Sequence, residues 1–179
     1  MGTALTPKEF MRRSRRVYPN REAVGDGDRR LSYGQLFDRC DRGSAALQRL
    51  GVGPGDRVAY IAPNILPQLE AFYAVTQLGA VLVPINYRLT ADDFAYIIDH
   101  SGAKVVCADA DYLATVDSIR PRLTTVDHFI ALRGPRDGWL GYEELLQAHE
   151  PISRRPSETT EAERRTLNHT SPTATRPRE

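Results

Sequence analysis

The sequence predicts an α/β fold: a doubly wound, largely parallel sheet with helices on both faces, preceded by a small N-terminal β-hairpin. Two observations carry this reading. Segments with helical spacing alternate with short apolar runs, and strands joined by intervening helices need crossovers and therefore run parallel. The runs at 58–61, 80–85 and 104–107 are also mostly apolar rather than alternating, as strands covered on both faces are. The right-handed crossover rule then distributes the helices over both faces of the layer.

The elements follow in order. Thr6 can cap a first helix, Pro7 suits its first position, and Phe10, Met11 and Val17 are expected to supply its apolar contacts, leaving Arg12, Arg13, Arg15 and Arg16 as a solvated face. A hairpin is expected over 22–32, because Asp26-Gly27 provides the positive φ that tight turns demand. Ser32 starts a helix whose stripe is Tyr33, Leu36, Phe37, Cys40, Leu47 and Leu50, closed by Gly51 as a left-handed C′ residue. Pro54-Gly55-Asp56 turns the chain into the strand containing Val58, Tyr60 and Ile61. Helical spacing returns over 65–78 and stops at Gly79, before the apolar run 80–85. Thr90 with Asp93 forms a capping-box-like start, Phe94, Ile97 and Ile98 face inward, and Gly102 ends that helix before the strand 104–107. A weaker helix over 111–120 and a strand over 128–132 complete the layer. In such sheets ligands sit outside the carboxyl ends of the strands, so the loops after Ile61, Ile85 and Cys107 form the expected functional edge.

Composition excludes several function classes. With 24 basic and 23 acidic residues among 179, the formal charge is +1, and no overall field recruits nucleic acid or an anionic membrane. No stretch approaches the ~20 apolar residues of a membrane span, and the beginning has no signal-peptide core, so a cytoplasmic location is the default expectation. Cys40 and Cys107 lack metal-type spacing and read as buried, inert thiols. His100, His128, His149 and His169 are scattered without ligand spacing, and no metal site is assigned. Asp92-Asp93 reads as the solvated first turn of a helix, favoured by its dipole, rather than a catalytic carboxylate pair.

Several strings, L-S-Y at 31–33, G-V-G-P-G-D-R-V at 51–58, P-N at 63–64, G-A-V-L-V-P-I-N-Y-R-L-T at 79–90 and D-H-S-G-A-K at 99–104, occur together in this order. In this the chain resembles, over about residues 5–150, the N-terminal subdomain of the AMP-forming acyl-CoA synthetases, the superfamily shared with luciferases and adenylation domains. The P-I-N-Y-R-L wording is similar to the branch acting on fatty and aryl carboxylic acids. The resemblance implies ATP-driven conversion of a carboxylic acid to an acyl adenylate with release of pyrophosphate, then acyl transfer to the thiol of coenzyme A. ATP, Mg and CoA are thus the cofactors of the full-length family. It also places Tyr87-Arg88 at a subdomain junction, without a catalytic role.

The family's phosphate loop reads approximately T-S-G-T-T-x-x-P-K-G, where glycines admit phosphate to backbone N–H groups and lysine adds a charge. The matching stretch here is Thr170-Ser-Pro-Thr-Ala-Thr-Arg-Pro-Arg-Glu179. Thr170, Ser171, Thr173 and Arg178 are its candidate ATP-binding residues. Pro172 deletes an N–H donor, Ala174 removes a hydroxyl, Glu179 puts an anion where a glycine belongs, and Arg178 keeps the lysine's charge without its compact geometry. Tight binding of any of the three cofactors is not expected, and no catalytic residue is assigned, because the resemblance places the acyl pocket, nucleotide contacts, metal-binding acid and catalytic lysine downstream of this loop. Residues 1–150 are expected to form the α/β subdomain and 151–179 a disordered tail, since Ile152 and Leu167 are its large apolar residues. Three functions compete: a truncated synthetase inactive alone, one half of a split ligase completed by another chain, and a non-catalytic module binding intact synthetases. The first expects aggregation through an uncovered junction surface, and the third a stable monomer.

Overall fold

The computed structural model describes residues 7–152; the expected Thr6 cap and residues 153–179 lie outside the described residues. Helix α1 (Pro7–Val17) leads into β1 (Glu22–Asp26) and β2 (Arg29–Ser32), an antiparallel hairpin turned at Gly27 with φ 57°. Ser32 then caps α2 (Tyr33–Arg49): its hydroxyl accepts from the Gln35 N–H while the Gln35 side chain accepts from the Ser32 N–H.

Five parallel strands follow: β3 (Arg57–Ile61), β4 (Val81–Ile85), β5 (Ala103–Ala108), β6 (His128–Ala131) and the two-residue β7 (Leu140–Gly141). Their order in the sheet is β4-β3-β5-β6-β7. Between them run α3 (Leu66–Gln77), α4 (Ala91–Ser101) and α5 (Leu113–Ile119), and β7 leads into α6 (Tyr142–Ala148).

Alternate residues of each strand serve opposite cores. Val58, Tyr60, Leu82, Val105 and Cys107 pack under α2, α3 and α6. Ala59, Ile61, Val83, Val106 and Ala108 pack under α4 and α5. The chain leaves β3 for β4 through α3 on the first face and returns to β5 through α4 on the second. Direction and face reverse together, as a single crossover hand requires. A third cluster, with Met11, Leu31, Phe37 and Leu66, joins α1 and the hairpin to α2 and α3.

Two glycines show why the helices stop where they do. Gly102 closes α4 in the left-handed conformation at φ 63°, and Arg57 reaches across to donate to the Ser101 carbonyl at 2.8 Å and the Gly102 carbonyl at 2.7 Å. The exposed helix-end carbonyls are thereby satisfied. Gly79, at φ 72°, ends the α3 turn against Pro54, whose Cβ would lie 3.3 Å from any added methyl.

Three expectations need correction. In α1 only Met11 of the three expected apolar contacts is buried; Phe10 is 59% and Val17 47% exposed, because Met11 and Arg15 occupy the side that faces α2. The helix expected over 111–120 is divided into a 3₁₀ turn at Ala110–Tyr112, the seven-residue α5 and a second 3₁₀ turn at Arg120–Arg122, where Pro121 removes a helix-propagating N–H. Finally, β7 and α6 were not expected at all, yet Tyr142 and Leu146 bury the inner side of α6 in the first core.

Candidate functional site

Sheet order reverses at β3, so the switch point lies between the carboxyl ends of β3 and β5. The Asp109 N–H donates to the Ile61 carbonyl at 3.0 Å, fastening these two ends together. The Asp109 carboxylate is fully buried and receives the Arg133 guanidinium from beyond β6, Nε to Oδ1 at 2.6 Å and Nη2 to Oδ2. This two-pronged pair leaves the Arg133 side chain 54% exposed on the rim. Beside it the rings of Tyr87 and Tyr112 lie 5.8 Å apart, and the Arg88 guanidinium covers Tyr87 at 5.5 Å. The loops after Ile61 and Ile85 and the chain after β5 are therefore brought to one edge, as the sequence indicates.

What this edge can hold is decided by its helix starts. Helix α3 has no side-chain cap of its own; instead Asp26 of the hairpin accepts from the Leu66 N–H at 3.0 Å. At α4, Thr90 and Asp93 cap each other's backbone, and Thr90 Oγ1 donates to Asp93 Oδ2 at 2.7 Å. Both positive helix ends at which a phosphate would be stabilised already carry a carboxylate. The loop residues Ala62-Pro63-Asn64, Asn86-Tyr87-Arg88 and Asp109-Ala110-Asp111 include no glycine through which backbone could approach phosphate. A cleft of about 290 Å³ between hairpin and α3 is lined mainly by apolar atoms of Val24, Ile65, Leu66, Leu69 and Phe72. The strand-end edge, as the described residues form it, thus does not fit a nucleoside triphosphate. Nor, among the described residues, do three His, Cys, Asp or Glu side chains converge as metal ligands. Of the candidate residues, Thr170, Ser171, Thr173 and Arg178 lie outside the described residues.

A second titratable cluster was missed from the sequence. Glu70 of α3 is fully buried, with Arg39 of α2 donating through Nε to Oε1 and through Nη2 to Oε2 at 3.2 Å. The same guanidinium holds Glu143 of α6 at 2.7 and 2.8 Å, and Arg29 of β2 reaches Glu143 at 3.2 Å. Burial pushes the Glu70 carboxyl above its ordinary value, against the pull of Arg39 and of the Tyr142 hydroxyl. Glu143 moves the other way, held down by its hydrogen bond from Arg39. The Arg39 guanidinium works against its own burial, yet bonds to Glu143 and Glu70 keep its pKa above the usual value. Since Glu70 has no access to solvent, the cluster is a clamp on three helices and not a catalytic centre. Glu70, the one charged residue in the mostly apolar run Leu66-Pro-Gln-Leu-Glu-Ala-Phe-Tyr, was the available signal.

Asp41, also buried, accepts from Arg15 of α1 at 2.6 Å; burial raises its pKa to about 6 against the opposing pull of Arg15 and of a Gln77 hydrogen bond. Both cysteines are buried, and burial pushes Cys107 up to about 12.

Among the described residues no helix is long and apolar enough to cross a membrane. The sequence profile of the AMP-binding enzyme family matches residues 11–178. A long-chain-fatty-acid–CoA ligase of Thermus thermophilus is 38% identical over 152 residues, 82% of this chain and 28% of that protein. An acetate/butyrate–CoA ligase of Arabidopsis thaliana is 41% identical over 119 residues, 66% of this chain and 21% of that one. The crystal structure of a putative long-chain-fatty-acid CoA ligase from Rhodopseudomonas palustris superposes with TM-score 0.85 at 30% identity over 94% of this chain and 42% of its own. An anthranilate CoA ligase in complex with anthranoyl-AMP shares the fold at TM-score 0.90 and 23% identity. The chain spans less than a third of the length of curated relatives such as these. It belongs to the AMP-binding enzyme family, and corresponds to an N-terminal fragment of an acyl-CoA synthetase.

Proposed function

We propose that these 179 residues are the N-terminal scaffold of an AMP-forming acid–thiol ligase and form no acyl adenylate by themselves. The observation that carries this is the closure of the strand-end edge: the helix starts that could stabilise phosphate are capped by Asp26 and Asp93. The nucleotide must then be held by other parts of a ligase, with this subdomain supplying the wall against which they dock. The match of the family profile as far as residue 178 supports descent of the 170–179 stretch from the phosphate loop. Its Pro172 and Glu179 support weak or absent ATP binding there. In a complete ligase, ATP and Mg would supply the adenylation chemistry and CoA the accepting thiol. The partner is the remainder of such a ligase, in the same polypeptide or as a second chain, and the setting is the cytoplasm. The acyl substrate is a monocarboxylic acid, the class shared by relatives named for acetate, butyrate and long-chain fatty acids.

The test is ATP–pyrophosphate exchange by the purified chain with a panel of fatty and aryl acids. No exchange above background is expected. Exchange that depends on the acid would overturn the proposal.

A further inference from the structure

Helix α1 presents a surface that neither core nor candidate site uses. Three of the large apolar side chains that stand exposed among the described residues, Phe10, Val17 and Tyr18, lie within nine positions of one another. Phe10, Arg13 and Val17 are spaced i, i+3, i+7 and share one outward face, with Arg16 and Arg12 on its flank. Met11, buried, and Arg15, bonded to buried Asp41, fix the opposite side of the helix to α2, so this face is held outward. Arg12 pairs with Glu9 at 2.8 Å, whereas Arg13 and Arg16 enter no ion pair among the described residues. Just beyond, the Arg21 guanidinium lies 5.7 Å from the centre of the Tyr18 ring. Between positions 7 and 21 the chain carries Lys8 and five arginines against the single acid Glu9, although the whole chain is nearly neutral.

We infer that the outer face of α1 is a peripheral docking surface for an anionic phospholipid bilayer. Arg13, Arg16 and Arg21 meet headgroup phosphates while Phe10, Val17 and Tyr18 enter the interfacial layer. The partner's charge follows from the local excess of arginine. Its apolar, planar character follows from the interleaved Phe, Val and Tyr on a convex helix surface. An acidic peptide would be held best in a groove, and among the described residues the cleft at Tyr96–Arg122 and the cleft between hairpin and α3 do not involve α1. A nucleic acid would use the arginines with little need of Val17. The inference is independent of the ligase reading.

Co-sedimentation of the full chain with vesicles tests it, comparing pure phosphatidylcholine with phosphatidylcholine containing about 30% phosphatidylserine. Binding is expected to the anionic vesicles alone and to weaken as salt rises above about 0.3 M. Two double variants separate the two contributions: Arg13→Glu with Arg16→Glu, and Phe10→Ser with Val17→Ser. Each is expected to reduce binding by about tenfold or more while leaving the melting curve in place, since these side chains are exposed. Equal binding to both vesicle types, no binding to anionic vesicles by the folded chain, or an unchanged affinity in the Phe10/Val17 variant would overturn it. So would tighter capture by polyglutamate or RNA than by the anionic vesicles.

Discussion

The Tyr142 hydroxyl donates a 2.7 Å hydrogen bond to Glu70 Oε2, joining α6 to a carboxylate buried in α3 seventy-two positions earlier. Together with Arg39 and Glu143 it closes a polar clamp inside an otherwise apolar face of the sheet. A buried charge with every oxygen partnered tolerates the loss of its counterpart poorly.

Glu70→Ala is therefore expected to destabilise the chain by about 3 kcal/mol, because it leaves the Arg39 guanidinium without its buried partner. Tyr142→Phe removes one hydrogen bond and keeps the ring, so it is expected to cost about 1 kcal/mol. Urea denaturation of both variants measures this. A smaller loss for Glu70→Ala than for Tyr142→Phe would show that the clamp does not act through the ion pair.

Asp41 makes stability depend on pH with a definite sign. Its folded pKa of about 6 lies above the ordinary 3.8, with burial as the main cause. The folded state therefore holds this proton more tightly than the unfolded chain. The resulting stabilisation is complete below the ordinary value and is lost as pH rises through about 6. Asp41→Asn cannot ionise, so relative to the parent the variant is expected to gain on the order of 2 kcal/mol between about pH 4 and about pH 7.5. Denaturant titrations at the two pH values give the difference directly. A difference that is flat, or that favours the parent at the higher pH, would contradict the shift.

Both thiols should be silent in the folded chain. Cys40 and Cys107 are buried, and burial holds each pKa above the ordinary 9.0, so the reactive thiolate is scarce. Ellman's reagent at about pH 8 is expected to label neither in the native state and both in denaturant. Rapid labelling of one equivalent in native conditions would show a local opening of α2 or β5.

Most of the sheet was legible because its punctuation is chemical. Gly79 and Gly102 end helices in positive φ, Ser32 and Thr90 begin them with capping boxes, and the apolar runs between are too short for anything but buried strands. Helix α1 was harder, since Met11 sits on one side of an 11-residue helix and Phe10 and Val17 on another, and periodicity alone did not say which side meets the core. The pair Leu140–Gly141 is too short to carry any period, and α6 offers only the Tyr142/Leu146 spacing, so both emerge only once the sheet edge and the α2 surface are in place to receive them. The strand-end edge was legible as a location but not in its chemistry. That Asp26, on a hairpin forty residues earlier, caps α3 is a tertiary relation with no local signature.

The most direct test of the central claim, that this subdomain frames a nucleotide site without holding one, is an amide NMR titration of the ¹⁵N-labelled chain with Mg–ATP. The account expects the Asn64, Leu66, Asp109 and Arg133 amides to stay in place at millimolar nucleotide, because Asp26, Asp93 and Arg133's own partner Asp109 occupy that edge. Saturable shifts at those four amides would contradict it and place a nucleotide at the switch point itself.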